Sequence, residues 1–423
     1  MSMPSLSPLL AGGQPVDWWL AFKFNAATYS GSEAQEPNPG LFGGTPVDYG
    51  GGFSLSYALA SSANPALQLA TGYLGTALSD PLGATFNQIY QGDYSYVLWN
   101  DQFYGSPMPS QDAPWGHSKG VLAWDSTGAG LVLQVTSPSW PASGSARFPR
   151  AGDGNTLGCV HDDDVMVSQH FFALKLSAAD VAVVLAGLAD ASIVTRALPN
   201  PNSPTIPQVF NVTGPASLAA LAQKLGALSS FSTVTNSVLS TGVTFIVKPS
   251  LLHVPPWQMV SAQLGGLPFR AATWWTDPAI PSTDASTPVG CWDAALGAPG
   301  AVQIATTGTW QGKSIGLEGG EGTTFNHAKI GVSMDSTRPL CIFGDMNQQG
   351  TLSGAGGTCG SSQNGRGGTF YVLENQALWS SLTALLNGES APLAPAAAAP
   401  AAEASPAEKA TGPKGPMRGP SDR

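Results

Sequence analysis

Charge is what this sequence of 423 residues has least of. Asp, Glu, Lys and Arg make up 10 % of it, with 17 basic against 27 acidic residues and a formal net charge of −10 at pH 7. An ordinary globular chain carries about 25 % charged residues, so Ser, Thr, Asn, Gln and Gly must cover this surface. The acidic balance argues against a generic basic nucleic-acid binder at neutral pH. Cysteine is scarce as well: Cys159, Cys291, Cys341 and Cys359 are the only four, and none of them forms a C-x-x-C zinc spacing. No apolar run reaches the ~18 residues of a membrane span, which speaks against a membrane protein. The start, MSMPSLSPLLAGGQPVDWW, lacks the basic opening and apolar core of a signal peptide. There is no G-x-x-x-x-G-K-[ST] loop, no strand-borne G-x-G-x-x-G and no G-x-S-x-G elbow. Those absences disfavour phosphate-loop, dinucleotide-binding and serine-hydrolase chemistry.

What is present is enough to build a core. Hydrophobic residues make up 43 %, which excludes wholesale disorder. Runs rich in Val, Ile, Phe, Tyr and Trp predict strands at 16–24, 94–100, 118–124 and 130–136. A second set falls at 242–248, 269–275, 328–334 and 340–345. Helices are fewer. Ser177 reads as the N-cap of AADVAVVLAGLAD with Asp180 at the capping-box position, and Ser217 as the opening of LAALAQKLGAL. A Pro/Asn cluster at 197–207 predicts a linker between an N-terminal half, 13–196, and a C-terminal half, 208–387. From 388 to 423 the chain turns Ala/Pro-rich and reads as a disordered tail. Strands and helices mixed in this way predict an α/β or α+β layered fold.

One internal repeat carries chemistry. Residues 117–125 read HSKGVLAWD and residues 327–335 read HAKIGVSMD, and each copy is followed by a second hydrophobic strand. The chain has five histidines, and two of them fall in this pattern. Residues i and i+2 of a strand face the same side, so His117 projects with Lys119 and His327 with Lys329. If the two strands meet at a pseudo-twofold axis, two imidazoles and two ammoniums surround one point. That is a site for a phosphodiester: cations hold the non-bridging oxygens, one imidazole attacks phosphorus, and the other protonates the leaving oxygen. No metal or other cofactor is required.

The two His-x-Lys motifs with their Asp resemble the phospholipase D-like phosphodiesterases, and the flanking stretches resemble the deoxyribonuclease II family. Those stretches are GQPVDWW (13–19), LWNDQ (98–102), GHSKGVLAWD (116–125), HAK (327–329), CIFGDMNQ (341–348) and GRGGTFYVLENQALW (365–379). The resemblance implies a single-chain pseudodimer of two mixed-sheet halves flanked by helices, with one active site at the seam. It also implies metal-independent cleavage of DNA at acidic pH, leaving 3′-phosphate and 5′-hydroxyl ends. By that analogy His117 is the nucleophile and His327 the general acid, although a motif repeated in both halves also allows the reverse. Lys119 and Lys329 would hold phosphate, with Asn347 of Gly344-Asp345-Met346-Asn347 assisting. Asp125 and Asp335 would orient the imidazoles and raise their pKa. The family favours a secreted or periplasmic protein. DNA is the implied partner, and a homo-oligomer is compatible with the resemblance. Ser139 stands near a position where the family tends to have Asn, and Phe370 follows Gly367-Gly368-Thr369 where the family has Cys.

Several features leave alternatives open. Cys341 and Cys359 flank a Gly-rich loop and can be bridged, which would stabilise by roughly 3 kcal/mol on the chain-entropy model; four reduced cysteines are the other reading. HDDD at 161–164 reads as a solvated acidic turn before it reads as a metal site. His170 and His253 sit among apolar neighbours and read as packed, hydrogen-bonded histidines, while Trp115 is a candidate stacking platform for a base. A phospholipase D-type or other small-molecule phosphodiesterase would use the same motifs, and a non-catalytic DNA-binding module is the third reading. Near pH 4.3 carboxylates are about half ionised and histidines protonated, so the net charge swings to roughly +8, which favours DNA in acid.

Overall fold

A computed structural model describes residues 6–30, 54–75, 80–102, 112–138, 166–195, 209–210, 214–354 and 358–395. Cys159, Ser139, the HDDD segment, the 197–207 linker and the tail beyond 395 lie outside the described residues.

The first sheet takes strands β1 (Trp18–Lys23), β2 (Tyr57–Ser61), β3 (Gln68–Leu69), β4 (Ser95–Asn100), β5 (Lys119–Trp124), β6 (Gly130–Val135), β7 (Gln169–Leu176) and β8 (Val209–Phe210). Their order is β3-β2-β1-β7-β6-β5-β4-β8, with every pair antiparallel. The second sheet takes β9 (Thr235–Val238), β10 (Thr244–Lys248), β11 (Phe269–Ala272), β12 (Val302–Ile304), β15 (Ile330–Ser333), β16 (Leu340–Gly344) and β17 (Gly368–Glu374). Its order is β12-β11-β15-β16-β17-β10-β9, and the β11–β12 pair is parallel. A separate hairpin is formed by β13 (Thr307–Trp310) and β14 (Lys313–Gly316). Five α-helices accompany them among the described residues: α1 (Pro81–Gln91), α2 (Ala178–Asp190), α3 (Ala216–Ala222), α4 (Pro256–Gln263) and α5 (Gln376–Leu385). The expected mixed α/β fold of two sheet-bearing halves is what forms.

Local signals explain most of these elements. Ser177 and Asp180 make the reciprocal capping box that opens α2. Asp80 caps α1, accepting from the amides of Leu82 and Gly83, with Pro81 at the first helical position. Helix α3 departs from expectation: it opens on Pro215 and runs only to Ala222, so Ser217 lies inside its first turn and caps nothing. β8 falls beyond the expected linker yet pairs with β4, so the first sheet extends past the boundary placed at 197–207. Residues 388–395, expected to begin the disordered tail, are instead stitched to the second half. Ser390 bridges to Ala305, Leu393 bridges to Ser282, and the Arg270 guanidinium donates to the carbonyls of Gly388 and Glu389.

The sheets are buried on both faces. α1 covers the outer face of the first sheet with Leu82, Phe86 and Ile89 against Val121 and Leu133, and α4 covers that of the second with Trp257 and Val260 against Ile342 and Phe370. The inner faces meet each other around α2 and α5. Leu122, Trp124 and Phe172 there join Cys341, Phe343 and Tyr371 in one cluster. Phe172 stacks on Phe343 across the seam with ring centroids 4.5 Å apart. The approach of α2 to β10 requires a glycine: a Cβ at Gly187 would lie 2.6 Å from Phe245 and Val247.

The disulfide corrects the sequence expectation. Cys359 is bonded to Cys291, 68 residues away, and Cys341 is free and buried. Side chains alternate along β16, and Cys341 points with Phe343 into the seam while Leu340 and Ile342 point outward. The loop carrying Cys359 lies elsewhere. A loop of this length gives about 4 kcal/mol of stabilisation on the chain-entropy model. Non-reducing peptide mapping is expected to recover the 291–359 pair, and C359S to unfold at lower denaturant than the parent. Recovery of a 341–359 pair would contradict the fold around β16.

Candidate active site

Both His-x-Lys motifs open onto one cleft of about 260 Å³. His117, Lys119, His327, Lys329 and Asn347 all line it, together with Thr136, Trp274 and Glu321. The five residues singled out in the sequence are thus brought together although the two motifs are 210 positions apart in the chain. All five are 7 % exposed or less, so the polar atoms they present are held in a largely desolvated wall.

Each half fixes the other half's histidine. The His117 amide donates to the carbonyl of Gly367, the residue before β17, and the His327 amide donates to the carbonyl of Ser168, the residue before β7. Two buried lysines brace these same turns. Lys23, paired with the first residue of β7, donates to the carbonyl of Val167; Lys248, paired with the first residue of β17, donates to those of Leu252, Asn364 and Arg366. Burial pushes the Lys248 ammonium well below its ordinary value.

A carboxylate missed in the sequence organises the first motif. Asp101, directly after β4, accepts from Lys119 Nζ at 2.5 Å and from Arg366 Nη2 at 2.8 Å, and lies 4.0 Å from His117 Nε2. Arg366 also donates to the carbonyls of Trp115 and Gly116, so a residue of the second half clamps the approach to His117. Trp115 therefore serves this clamp through its backbone. Burial alone would raise the Asp101 pKa, but the charges of Lys119 and Arg366 and the Lys119 hydrogen bond overcome it and hold the carboxyl well below the usual range. Both residues stand in stretches already singled out, LWNDQ and GRGGTF, but they lie 265 positions apart and nothing in their spacing pairs them.

The imidazole of His117 is held in one tautomer. Its Nδ1 lies 2.6 Å from the main-chain oxygen of Asp345. A carbonyl can only accept, so Nδ1 carries the proton and Nε2 keeps its lone pair. Burial pushes His117 well below its ordinary pKa; Asp101 opposes this, and Lys119, Arg366 and Lys329 add to it. The ring is therefore neutral. The Asp345 carboxyl itself is buried beneath the cleft. It accepts from Ser118 Oγ, Thr369 Oγ1, Thr369 N and Gln134 Nε2 at 2.5–3.0 Å. Burial, partly offset by these donors, pushes it up to about 6.

The second motif is furnished differently. Lys329 Nζ donates to the His327 carbonyl at 2.6 Å, and the Trp274 ring lies edge-on to His327 with centroids 4.0 Å apart. Asn100 pairs with Lys119 in β4–β5, and Ala272 pairs with Ile330 in β11–β15. Continuing the second register by one residue sets Thr273 opposite Lys329. Trp274 in one half then matches Asp101 in the other. Asn347 is anchored by its amide nitrogen to Gln349 Oε1 at 2.8 Å.

Asp125 and Asp335 do not reach the histidines. Each caps the turn at the far end of its hairpin, accepting from the amide and hydroxyl of Thr127 and of Thr337 at 2.6–2.9 Å. Six residues of strand span about 20 Å from Lys to Asp, so the Asp of the repeat closes a hairpin, and Asp101 and Asp345 stand beside His117 instead. His170 is buried and hydrogen-bonded as expected, whereas His253 is exposed.

The chain is similar to known nucleases. The family model described as deoxyribonuclease II matches residues 7–388. The cell-death-related nuclease 7 of Caenorhabditis elegans is 24 % identical over 316 residues, covering 72 % of this chain and 72 % of that protein. Deoxyribonuclease-2-alpha of Mus musculus is 30 % identical and that of Bos taurus 31 % identical over 156 residues, 35 % of this chain and 38 % of each of those proteins. With a match that runs from the first β-strand through the last helix and takes in both cleft-lining motifs, the chain belongs to the deoxyribonuclease II family.

Proposed function

We propose that this nuclease is an acid endodeoxyribonuclease that hydrolyses DNA phosphodiester bonds without a metal ion, through a phosphohistidine at His117. The observation that carries the reading is the His117 ring, its Nδ1 committed to the Asp345 carbonyl, in the wall of a cleft that also presents His327 and both lysines. Nε2 attacks phosphorus while Lys119 and Lys329 neutralise the non-bridging oxygens. The bond to the 5′-oxygen breaks, and His327, protonated, gives that oxygen its proton, releasing a 5′-hydroxyl end. The fragment 5′ to the break, which keeps the phosphoryl group on its 3′-oxygen, stays on His117 as a phosphoramidate. His327, now neutral, takes a proton from water, whose oxygen attacks phosphorus and leaves a 3′-phosphate with the imidazole restored. Atoms and charge balance with no other reactant.

The acid dependence follows from the two rings having opposite needs. The nucleophile must be neutral, and burial keeps His117 so at pH values well below 6.5. The general acid must carry a proton, which an imidazole ordinarily holds below about pH 6.5. Cleavage should rise as pH falls through that value and decline only where His117 itself is protonated. Plasmid nicking in EDTA across pH 4–8 tests this. The expected result is undiminished cleavage with an acidic optimum, weakened by salt as phosphate contacts are. Strict dependence on Mg²⁺ or Ca²⁺ would sink the mechanism. A neutral optimum with faster turnover of phosphatidylcholine than of DNA would point to a small-molecule phosphodiesterase instead.

A further inference from the structure

His170, the second residue of β7, lies under the cleft between the two motifs and takes no part in the chemistry above. Its Nδ1 is 3.1 Å from the main-chain nitrogen of Lys329. An amide can only donate, so Nδ1 is bare and the ring proton sits on Nε2, which faces Gln134 Oε1 at 3.3 Å. That contact orients the Gln134 amide, whose Nε2 donates to Asp345 Oδ1 at 3.0 Å. The main-chain oxygen of the same Asp345 accepts from His117 Nδ1. Every link has a single polarity, set at one end by the Lys329 amide and at the other by the Asp345 carbonyl.

We propose that His170 is a positioning residue of the active site, tying the strand of the second His-x-Lys motif to the imidazole of the first through Gln134 and Asp345. A ring that only filled space would need neither nitrogen. Here both are used, and the ring's own main chain is fixed by Thr136 Oγ1, which accepts from the His170 amide at 3.0 Å. Protonation would put a second proton on Nδ1, against the Lys329 amide. Burial, reinforced by the Lys329 charge, pushes His170 down to about 3, so the acceptor persists in acid. The charged and titratable groups in or beside this path are Lys329, Asp345, His117 and, beside Asp345, the buried Tyr371. Positional losses of this kind in an active site cost up to about 100-fold in rate.

The inference rests on the phosphodiesterase reading, and the test separates the two. Glutamine can place a donor where His Nε2 lies, asparagine can place an acceptor where Nδ1 lies, and phenylalanine keeps only the volume. On plasmid DNA, His170→Phe and His170→Asn are expected to lower kcat roughly 10- to 100-fold with KM nearly unchanged. His170→Gln should recover most of the loss by restoring the donor to Gln134. Gln134→Leu should cost as much as His170→Phe, and the double variant no more than either, as members of one path are not additive. Equal losses in all three His170 variants, multiplying losses in the double variant, or a raised KM with intact kcat would overturn the proposal. Should His170→Phe fail to fold, the Gln and Asn variants and Gln134→Leu still decide it. His117→Ala is the control for the reading itself. If it cleaves like the parent, the mechanism fails. If it is inactive while the losses multiply, only the role of His170 fails.

Discussion

Replacing either His117 or His327 with alanine is expected to remove nearly all DNA cleavage, a fall of at least about a thousandfold in kcat with KM little changed. The two rings line one cleft, and each has its backbone amide held by the opposite half. On the proposed mechanism one transfers the phosphoryl group and the other handles the leaving group's proton, so neither would act alone. Residues that act as a unit show such non-additive losses, and the double variant should be no worse than the single ones. Single-turnover cleavage of a labelled duplex measures this. A variant that kept about half the parent's rate would mean two independent sites, one in each half.

Asp101→Asn should have the next largest effect, and on stability as well as rate. The carboxylate is 1 % exposed and holds both Lys119 and Arg366. Removing its charge leaves two buried cations unpaired, which costs about 3–5 kcal/mol by analogy with other broken buried pairs. In a chain of this size that corresponds to a drop in Tm of roughly 3–6 °C. Cleavage should fall about 100-fold as Lys119 loses its orientation. The sign with pH follows from the depressed pKa. A carboxyl whose folded pKa lies below the ordinary ~4 contributes fully above about pH 4 and progressively less as pH falls towards the folded value. The gap in Tm between parent and variant should therefore be full at pH 5 and narrow below pH 4. Thermal unfolding over pH 3–7 checks it, and a gap that widened towards pH 3 would contradict the assignment of Asp101 as an ionised partner of the two cations.

Much of this arrangement was readable in the sequence, because the signals are local. Hydrophobic runs rich in β-branched and aromatic residues give β5, β6, β15 and β16, and the His-x-Lys that leads into β5 and into β15 turns both side chains of each motif into one cleft. The Ser177–Asp180 box opens α2 where its spacing says it should. What was misread required information from outside the segment. The Asp that follows each motif repeats faithfully, and repetition alone does not distinguish a residue that closes a hairpin from one that serves chemistry. Strand length settles it, since the turn lies about 20 Å from the lysine and further still from the histidine. The carboxylate that does stand by His117 comes from the end of β4, and its partner Arg366 from the far half of the chain. Cys341 and Cys359 look paired on sequence distance. The alternation along β16 turns Cys341 inward, towards Phe343 and away from any loop.

The two halves share a plan and differ beside their histidines. Both hairpins are closed by an Asp-Ser-Thr turn, both histidine amides cross the seam, and β1 and β10 each end in a carbonyl-bound lysine. At matching positions beyond the strands, one half has Asp101 and the other Trp274. His117 therefore sits among charges with its tautomer locked, while His327 packs against an indole. A duplicated motif has in this way been given two environments, which is the physical basis for assigning two roles to identical residues.

The central claim is that His117 is the nucleophile of a single shared site, and trapping the intermediate tests it most directly. An oligonucleotide labelled at its 5′ end would be mixed with the protein in EDTA at acidic pH, quenched within milliseconds into alkali, where phosphohistidine survives, and mapped by mass spectrometry. The account predicts the labelled fragment attached through its 3′-phosphate to the peptide carrying His117, and no adduct in His117→Ala. An adduct on the peptide carrying His327, or metal-dependent cleavage that passes through no adduct at all, would contradict it.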